Sequence, residues 1–134
     1  MAVTWDEEYS VGVSVIDEQH KQFVVVLGKL EKAVAELEQK ERLSQILEDL
    51  DSYVVFHFGT EEKYFKEFNY GGAREHIEAH RKFAQTLSET REKYQNNELR
   101  LSYELVTFMS DWLVSHVRDM DRKYIECFRS HGLV

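Results

Sequence analysis

The sequence predicts an all-α protein, an up-down-up-down four-helix bundle with an extended N-terminal arm. Four stretches carry apolar residues at alternating spacings of three and four, the stripe that one face of a helix buries against its neighbours. Proline is absent and glycine is limited to six positions, so little interrupts long helices. Turn-forming residues separate most of the stretches, and short connections between amphipathic helices favour antiparallel neighbours. A chain of 134 residues that is 43% hydrophobic and 13% aromatic has the size and composition of one domain with a substantial core. We expect a single domain over residues 1–134, with the arm at 1–16 and the bundle from about 17 to 130.

Each element has its own signature. Val11, Val13 and Val15 alternate around Gly12, which reads as extended chain, and Trp5 is expected to anchor this arm to the body. Asp17 is expected to cap the first helix, whose inner face is His20, Phe23, Leu27, Leu30, Val34 and Leu37. The second helix presents Leu43, Leu47, Leu50, Val54, His57, Glu61, Tyr64 and Phe68. Its boundary with the first falls within Glu38 to Arg42, where no glycine or proline marks it. Gly71-Gly72 ends the second helix, and the third presents His76, His80, Phe83, Leu87 and Tyr94. Gln95-Asn96-Asn97 makes the next turn. The fourth helix carries Leu105, Met109, Trp112, His116 and Tyr124, with Asp121 slightly off the stripe.

Charge and cysteine content narrow the function classes. A formal net charge of −8 argues against nucleic acid and against anionic membrane surfaces as partners. No apolar run is long enough to span a bilayer, and the N-terminus MAVTWDEEYS lacks the basic and apolar regions of a signal peptide. A single cysteine, Cys127, excludes an internal disulfide framework and fits a reducing compartment, so a soluble cytoplasmic protein is expected. Cys127 itself reads as an inert, semi-buried small hydrophobe. Exposed charges such as Glu31, Lys32, Glu36 and Lys40 read as a solvated face.

The informative departure from a plain bundle is that five of six histidines, with one Glu and one Asp, occupy inner-face positions. These are His20, His57, Glu61, His76, His80, His116 and Asp121. A buried ionisable group without a partner costs several kcal/mol. One inward histidine is readily a satisfied core residue, but a structural core has no reason to gather five imidazoles and two carboxylates. A metal cluster neutralises such a set together. His57 and Glu61 are four apart, as are His76 and His80, so each pair projects from one helical face about a turn apart. His116 and Asp121 are five apart, roughly 140° around a continuous helix, which needs a long reach from Asp121. His131 lies fifteen residues past His116, roughly 22 Å further along such a helix, and is expected at the surface. Seven ligands exceed a tetrahedral zinc site, and calcium or magnesium would take oxygen donors. Nitrogen-rich ligation with two carboxylates suits two first-row ions, iron foremost, with manganese or zinc as contaminants.

This ordered set, His20, His57-x-x-x-Glu61, His76-x-x-x-His80 and His116-x-x-x-x-Asp121, resembles the ligand set of the hemerythrin family, in particular its bacterial members. The resemblance extends to Trp5-Asp6, Ser10-Val11-Gly12-Val13, Ile16-Asp17-Glu18-Gln19-His20, His57-Phe58-x-x-Glu61-Glu62-Lys63 and Asp111-Trp112-Leu113. Bacterial relatives often carry Gly-Tyr-Pro before the third helix, where this chain has Asn69-Tyr70-Gly71-Gly72, a departure confined to a turn. The resemblance implies two iron ions joined by an oxo or hydroxo group, with Glu61 and Asp121 as bridging carboxylates. It implies that His76, His80 and His116 complete a six-coordinate iron, and that His20 and His57 hold a second iron with one open position. Dioxygen would bind there reversibly, and small anions such as azide would take the same place. By position, Phe23, Phe58, Trp112, Leu113 and Val117 resemble the apolar pocket lining of relatives. An oxygen carrier, store or delivery protein is the leading expectation, and not an enzyme. An oxygen or redox sensor domain, or a di-iron oxidase or peroxidase, are the alternatives. The nitrogen-rich set favours the carrier, because oxygen-activating bundles use glutamate-rich sets with Glu-x-x-His pairs. The chain reads as a free-standing protein, and its protein partner is unknown.

Overall fold

The computed structural model describes residues 4–98, 100 and 103–134, and gives side chains for all of these but 103 and 104. The first three residues of the expected arm lie outside them. The helices are α1 (Ser14–Ala35), α2 (Lys40–Glu67), α3 (Ala73–Gln95), α4 (Tyr103–Asp119) and α5 (Ile125–Ser130), and the described residues contain no strand. Antiparallel packing places α1 between α2 and α4, with α3 along the far side of α2. Between α3 and α4 large side chains make the contact, with the Trp112 ring stacked on Phe83 at 3.9 Å.

Three turns share one backbone device. α1, α2 and α3 each end with a residue in the left-handed region, at Leu37 (φ 53°), Asn69 (φ 51°) and Asn97 (φ 62°). In each, the next amide bonds back to a carbonyl five residues earlier: Glu38 to Ala33, Tyr70 to Phe65 and Glu98 to Lys93. Asparagine tolerates this conformation, but leucine does not favour it. The α1–α2 boundary therefore carried no sequence signal, because its left-handed position is filled by an 85% exposed leucine.

The N-terminal segment departs from the expected boundary. α1 begins at Ser14, within the expected arm, and Val15 lies on the helix, 38% exposed. Asp17 is not the cap; that position is Val13, which makes no side-chain capping bond. Asp17 instead holds the arm, accepting from the Ser10 hydroxyl at 2.5 Å and the Val11 amide at 2.9 Å. The arm includes a 3-10 turn over Glu7–Tyr9, capped by Asp6. Gly12 has φ 70°, which favours glycine, and a Cβ there would stand 2.8 Å from Arg129 Nη1 and displace that guanidinium.

The C-terminal segment also departs. The fourth helix stops at Asp119, and a 3-10 turn over Asp121–Tyr124 leads into α5. Two apolar cores result. Leu27, Leu30, Leu47, Leu50, Val54, Phe83, Leu87 and Met109 belong to the larger one. Val11, Val13, Ile16, Phe65, Tyr124 and Phe128 form the smaller one, where arm, α2 and α5 meet. Along α2, His57 and Glu61 fall between Val54 of the first and Phe65 of the second. A polar layer thus separates two apolar ones.

Candidate metal centre

All seven sequence-predicted residues enter that layer, each 5% exposed or less. They fall into two overlapping groups whose nitrogen and oxygen atoms lie within 4.8 Å of one another. Glu61, His76, His80, His116 and Asp121 form one group, and His20, His57, Glu61 and Asp121 the other, so the two carboxylates belong to both. His131 is exposed, stacks on Phe68 at 4.6 Å and contacts the Cys127 carbonyl, outside both groups.

Helix register explains most of this. The His57/Glu61 and His76/His80 pairs sit one turn apart on α2 and α3 as their spacing requires. His116 and Asp121 converge for a reason periodicity did not predict. The helix breaks at Met120, and the 3-10 turn brings Asp121 back to within 3.2 Å of His116 Nε2.

Every imidazole turns Nε2 inward. His76 and His116 approach Asp121 Oδ1 at 2.9 and 3.2 Å, and His20 approaches Oδ2 at 3.0 Å. His57 and His80 both stand 3.2 Å from Glu61 Oε1. His116 Nε2 lies 3.0 Å from His76 Nε2 and 3.2 Å from His80 Nε2. These separations suit donors on a common ion: bonds of about 2.1 Å at right angles place neighbouring donor atoms about 3 Å apart. Alignment supports the same reading. His20 Nε2, both Glu61 oxygens and both Asp121 oxygens are buried without hydrogen-bond geometry to any partner, although imidazole nitrogens stand close by. His20 Nε2 and the four carboxylate oxygens are aimed at shared points and not at one another. The set fits a metal pair held between two carboxylates.

The protein's own charges set the protonation states. Burial and the neighbouring Asp121 push the Glu61 carboxyl up, but His57 and His80 outweigh them and hold it at about 2. Burial likewise opposes ionisation of Asp121, yet His116, His20 and His76 hold its carboxyl well below the usual range. Burial lowers His57. His80 is pushed up to about 9 because Glu61 and Glu62 together overcome its burial. Both carboxylates are therefore ionised, as metal ligands must be.

Two partners outside the seven fix imidazole orientation, and inner-face periodicity did not single them out. The His57 ring meets the Gln19 side-chain oxygen through Nδ1 at 2.7 Å. The His80 ring meets Glu62 through Nδ1 at 3.0 Å. With the proton on Nδ1, the Nε2 lone pair is left free to face the cluster. The sequence signal for these two partners was adjacency, Gln19 beside His20 and Glu62 beside Glu61, within two of the stretches that carry the family resemblance.

The apolar surroundings divide by side. Leu113 and Val117 line a small cavity against His20, together with Val24, Val114, Trp5 and Tyr9. Phe58 stacks on His80 at 3.8 Å and reaches both His57 and His116, while Phe23 is fully buried in the larger core. Trp112 does not line this cavity. Its ring stacks on His116 at 4.4 Å and edges a surface groove with Arg74, Glu78 and Lys82. Neighbouring helical residues point about 100° apart, so Leu113 and Val117 face α1 while Trp112 and His116 face α3.

Residues 11–128 match the family described as the hemerythrin HHE cation binding domain. The chain belongs to the hemerythrin family. It is 29% identical over 129 residues to a bacteriohemerythrin of Stenotrophomonas maltophilia, covering 96% of this chain and 83% of that one. A bacteriohemerythrin of Pseudomonas aeruginosa is 31% identical over 127 residues, covering 95% and 82%. The crystal structure of a wild-type hemerythrin superposes with a TM-score of 0.91 at 26% identity, covering 95% of this chain and 98% of that one. Membership of the hemerythrin family brings with it a non-haem metal centre, and the buried cluster is able to hold one. No helix among the described residues is long and apolar enough to cross a membrane.

Proposed function

We propose that this hemerythrin-family chain binds dioxygen reversibly at a di-iron centre, as a carrier, store or delivery protein and not an enzyme. His76, His80 and His116 would hold one iron, His20 and His57 the other, and Glu61 and Asp121 would bridge the pair. Bound there, the irons supply the electrons for reversible oxygen binding. The observation that carries the reading is the placement of free space. The group with two imidazoles borders, at His20, a small apolar cavity, whereas the group with three meets a larger surface groove at His80, lined in part by Glu62 and Arg81. Apolar room for a small ligand on the two-imidazole side supports an open position there. Leu113 and Val117 keep that space apolar, and Gln19 holds His57 in the tautomer that presents Nε2. An apolar wall excludes water and stray protons, which favours release of the ligand over irreversible oxidation of the metals. Small anions such as azide would compete for the same position.

The test is anaerobic loading with ferrous iron, elemental analysis and an optical spectrum before and after air. Two irons per chain and a colour that appears in air and fades under vacuum are expected. One metal per chain, or mostly zinc, would sink the di-iron assignment. Steady consumption of a reductant in air would replace the carrier by an oxidase or peroxidase.

A further inference from the structure

The N-terminal arm contributes part of the wall of the cavity beside His20. Trp5 and Tyr9 come from the arm, Val24 from α1, and Leu113, Val114 and Val117 from α4. The enclosed space is about 10 Å³, close to the lower limit for one water-sized sphere. Trp5 is seated by contacts of its own: its ring meets Tyr9 edge-on at 6.0 Å, and its indole nitrogen donates to Glu7 at 3.0 Å. The Lys21 ammonium stands 5.3 Å over the same ring.

The arm's firm attachments lie further along. Ser10 and Val11 bond to Asp17, Arg122 donates to the Glu8 carbonyl, and Arg129 donates to the Gly12 carbonyl at 2.8 Å. Val11 and Val13 are buried in the smaller core. The root of the arm is therefore fixed, whereas Trp5, half-buried, is held by exposed contacts worth little each.

We infer that Trp5 and Tyr9 form a size-selective cap over the small-molecule position beside His20. A single-atom ligand such as fluoride is accommodated with the cap seated, whereas a triatomic anion requires Trp5 to swing out. The inference rests on the proposed metal centre for the ligand itself, and on the arm's packing alone for the cap.

Two measurements test it. In stopped-flow mixing with the diferric protein, the ratio of azide to fluoride association rates should rise at least tenfold in Trp5→Ala. The ratio should stay within twofold of wild type in Trp5→Phe, which keeps an aromatic cap. Crystals of the protein as purified, pressurised with xenon, should show a xenon atom beside His20 in Trp5→Ala and none in wild type. An unchanged rate ratio in Trp5→Ala overturns the inference, and so does xenon in both proteins or in neither. Failure to load iron would remove the proposed centre, while the xenon comparison would still decide whether Trp5 caps the cavity.

Discussion

Replacing Gln19 by leucine should weaken metal binding without removing a ligand. The local network fixes its chemistry. Thr60 donates its only hydroxyl proton to the Phe56 carbonyl at 3.1 Å, so it must accept from the Gln19 amide nitrogen, also at 3.1 Å. That leaves the Gln19 oxygen facing His57 Nδ1 at 2.7 Å, and an amide oxygen only accepts. His57 therefore carries its proton on Nδ1 and offers a lone pair from Nε2. Leucine keeps the bulk of Gln19 and deletes the acceptor, so a fully buried N–H loses its partner, a cost of about 1–3 kcal/mol. The ring can recover by moving the proton to Nε2, but that tautomer offers the cluster no lone pair from Nε2. Loss of such a partner typically lowers metal affinity about 10–100-fold. Burial lowers the His57 pKa, so proton competition near neutral pH adds nothing to this loss. Competition against a chromophoric chelator would measure it, with Gln19→Glu as a contrast expected to bind at least as tightly as wild type. Equal affinities for wild type and Gln19→Leu would show that Gln19 does not set the His57 tautomer.

His80→Ala should lose metal and melt lower, whereas His131→Ala should do neither; metal analysis and melting curves that match for the two would overturn the ligand assignment. Leu37→Gly should stabilise the chain by about 0.5–1 kcal/mol, or about 2–4 °C, because it relieves a left-handed leucine that buries little; no gain in a chemical denaturation series would place the strain elsewhere. Trp112→Ala should cost about 2 kcal/mol, since a half-buried ring stacked on His116 and Phe83 is lost, yet leave azide association unchanged; a rate increase like that of Trp5→Ala would show that both rings guard one entry. For pH, the His80 value of about 9 lies above its ordinary 6.5, so its pairing with Glu61 and Glu62 stabilises the metal-free protein fully below pH 6.5 and is lost as pH rises through 9. Metal requires the deprotonated ring, so chelator competition should show affinity climbing over the same window; parallel trends in stability and affinity would contradict this.

The buried cluster was legible because it broke a rule. Five imidazoles and two carboxylates on inner faces conflict with core periodicity, and local conflicts of that kind mark functional sites. The His57/Glu61 and His76/His80 pairs needed only the geometry of an unbroken helix. His116 and Asp121 do converge, but not on the geometry of a continuous helix, since nothing in Arg118-Asp119-Met120 announces a helix end. The α1–α2 turn was hidden for a related reason: the backbone bonds from Leu37 to Val34 and from Glu38 to Ala33 hold Leu37 in a conformation its side chain disfavours. Gln19 and Glu62 escaped notice because polar residues beside a ligand look like ordinary helix surface until the imidazole turns toward them. Trp112 and Leu113 looked equivalent in sequence, and only their different azimuths on α4 separate the His116 side from the His20 side.

The break at Met120 connects two features that the sequence presents separately. A continuous fourth helix would carry Asp121 away from His116 and project the following residues along the bundle axis. The 3-10 turn instead brings Asp121 between His20, His76 and His116, and it starts α5 on a new course. On that course Arg122 and Arg129 reach the Glu8 and Gly12 carbonyls, and Phe128 packs with Val11 and Val13. The segment that completes the carboxylate pair is thus the segment that roots the arm. Without metal, Asp121 keeps its charge, because His116, His20 and His76 outweigh its burial. With metal, the same charge is neutralised and the turn is fixed by ligation. Metal loading should therefore tighten the arm as well as the bundle. Hydrogen exchange provides the measurement: the Val11 amide, bonded to Asp17 at 2.9 Å, should exchange more slowly in the loaded protein than in the metal-free one. Equal exchange at Val11, with slowing confined to the bundle helices, would uncouple the arm from the centre.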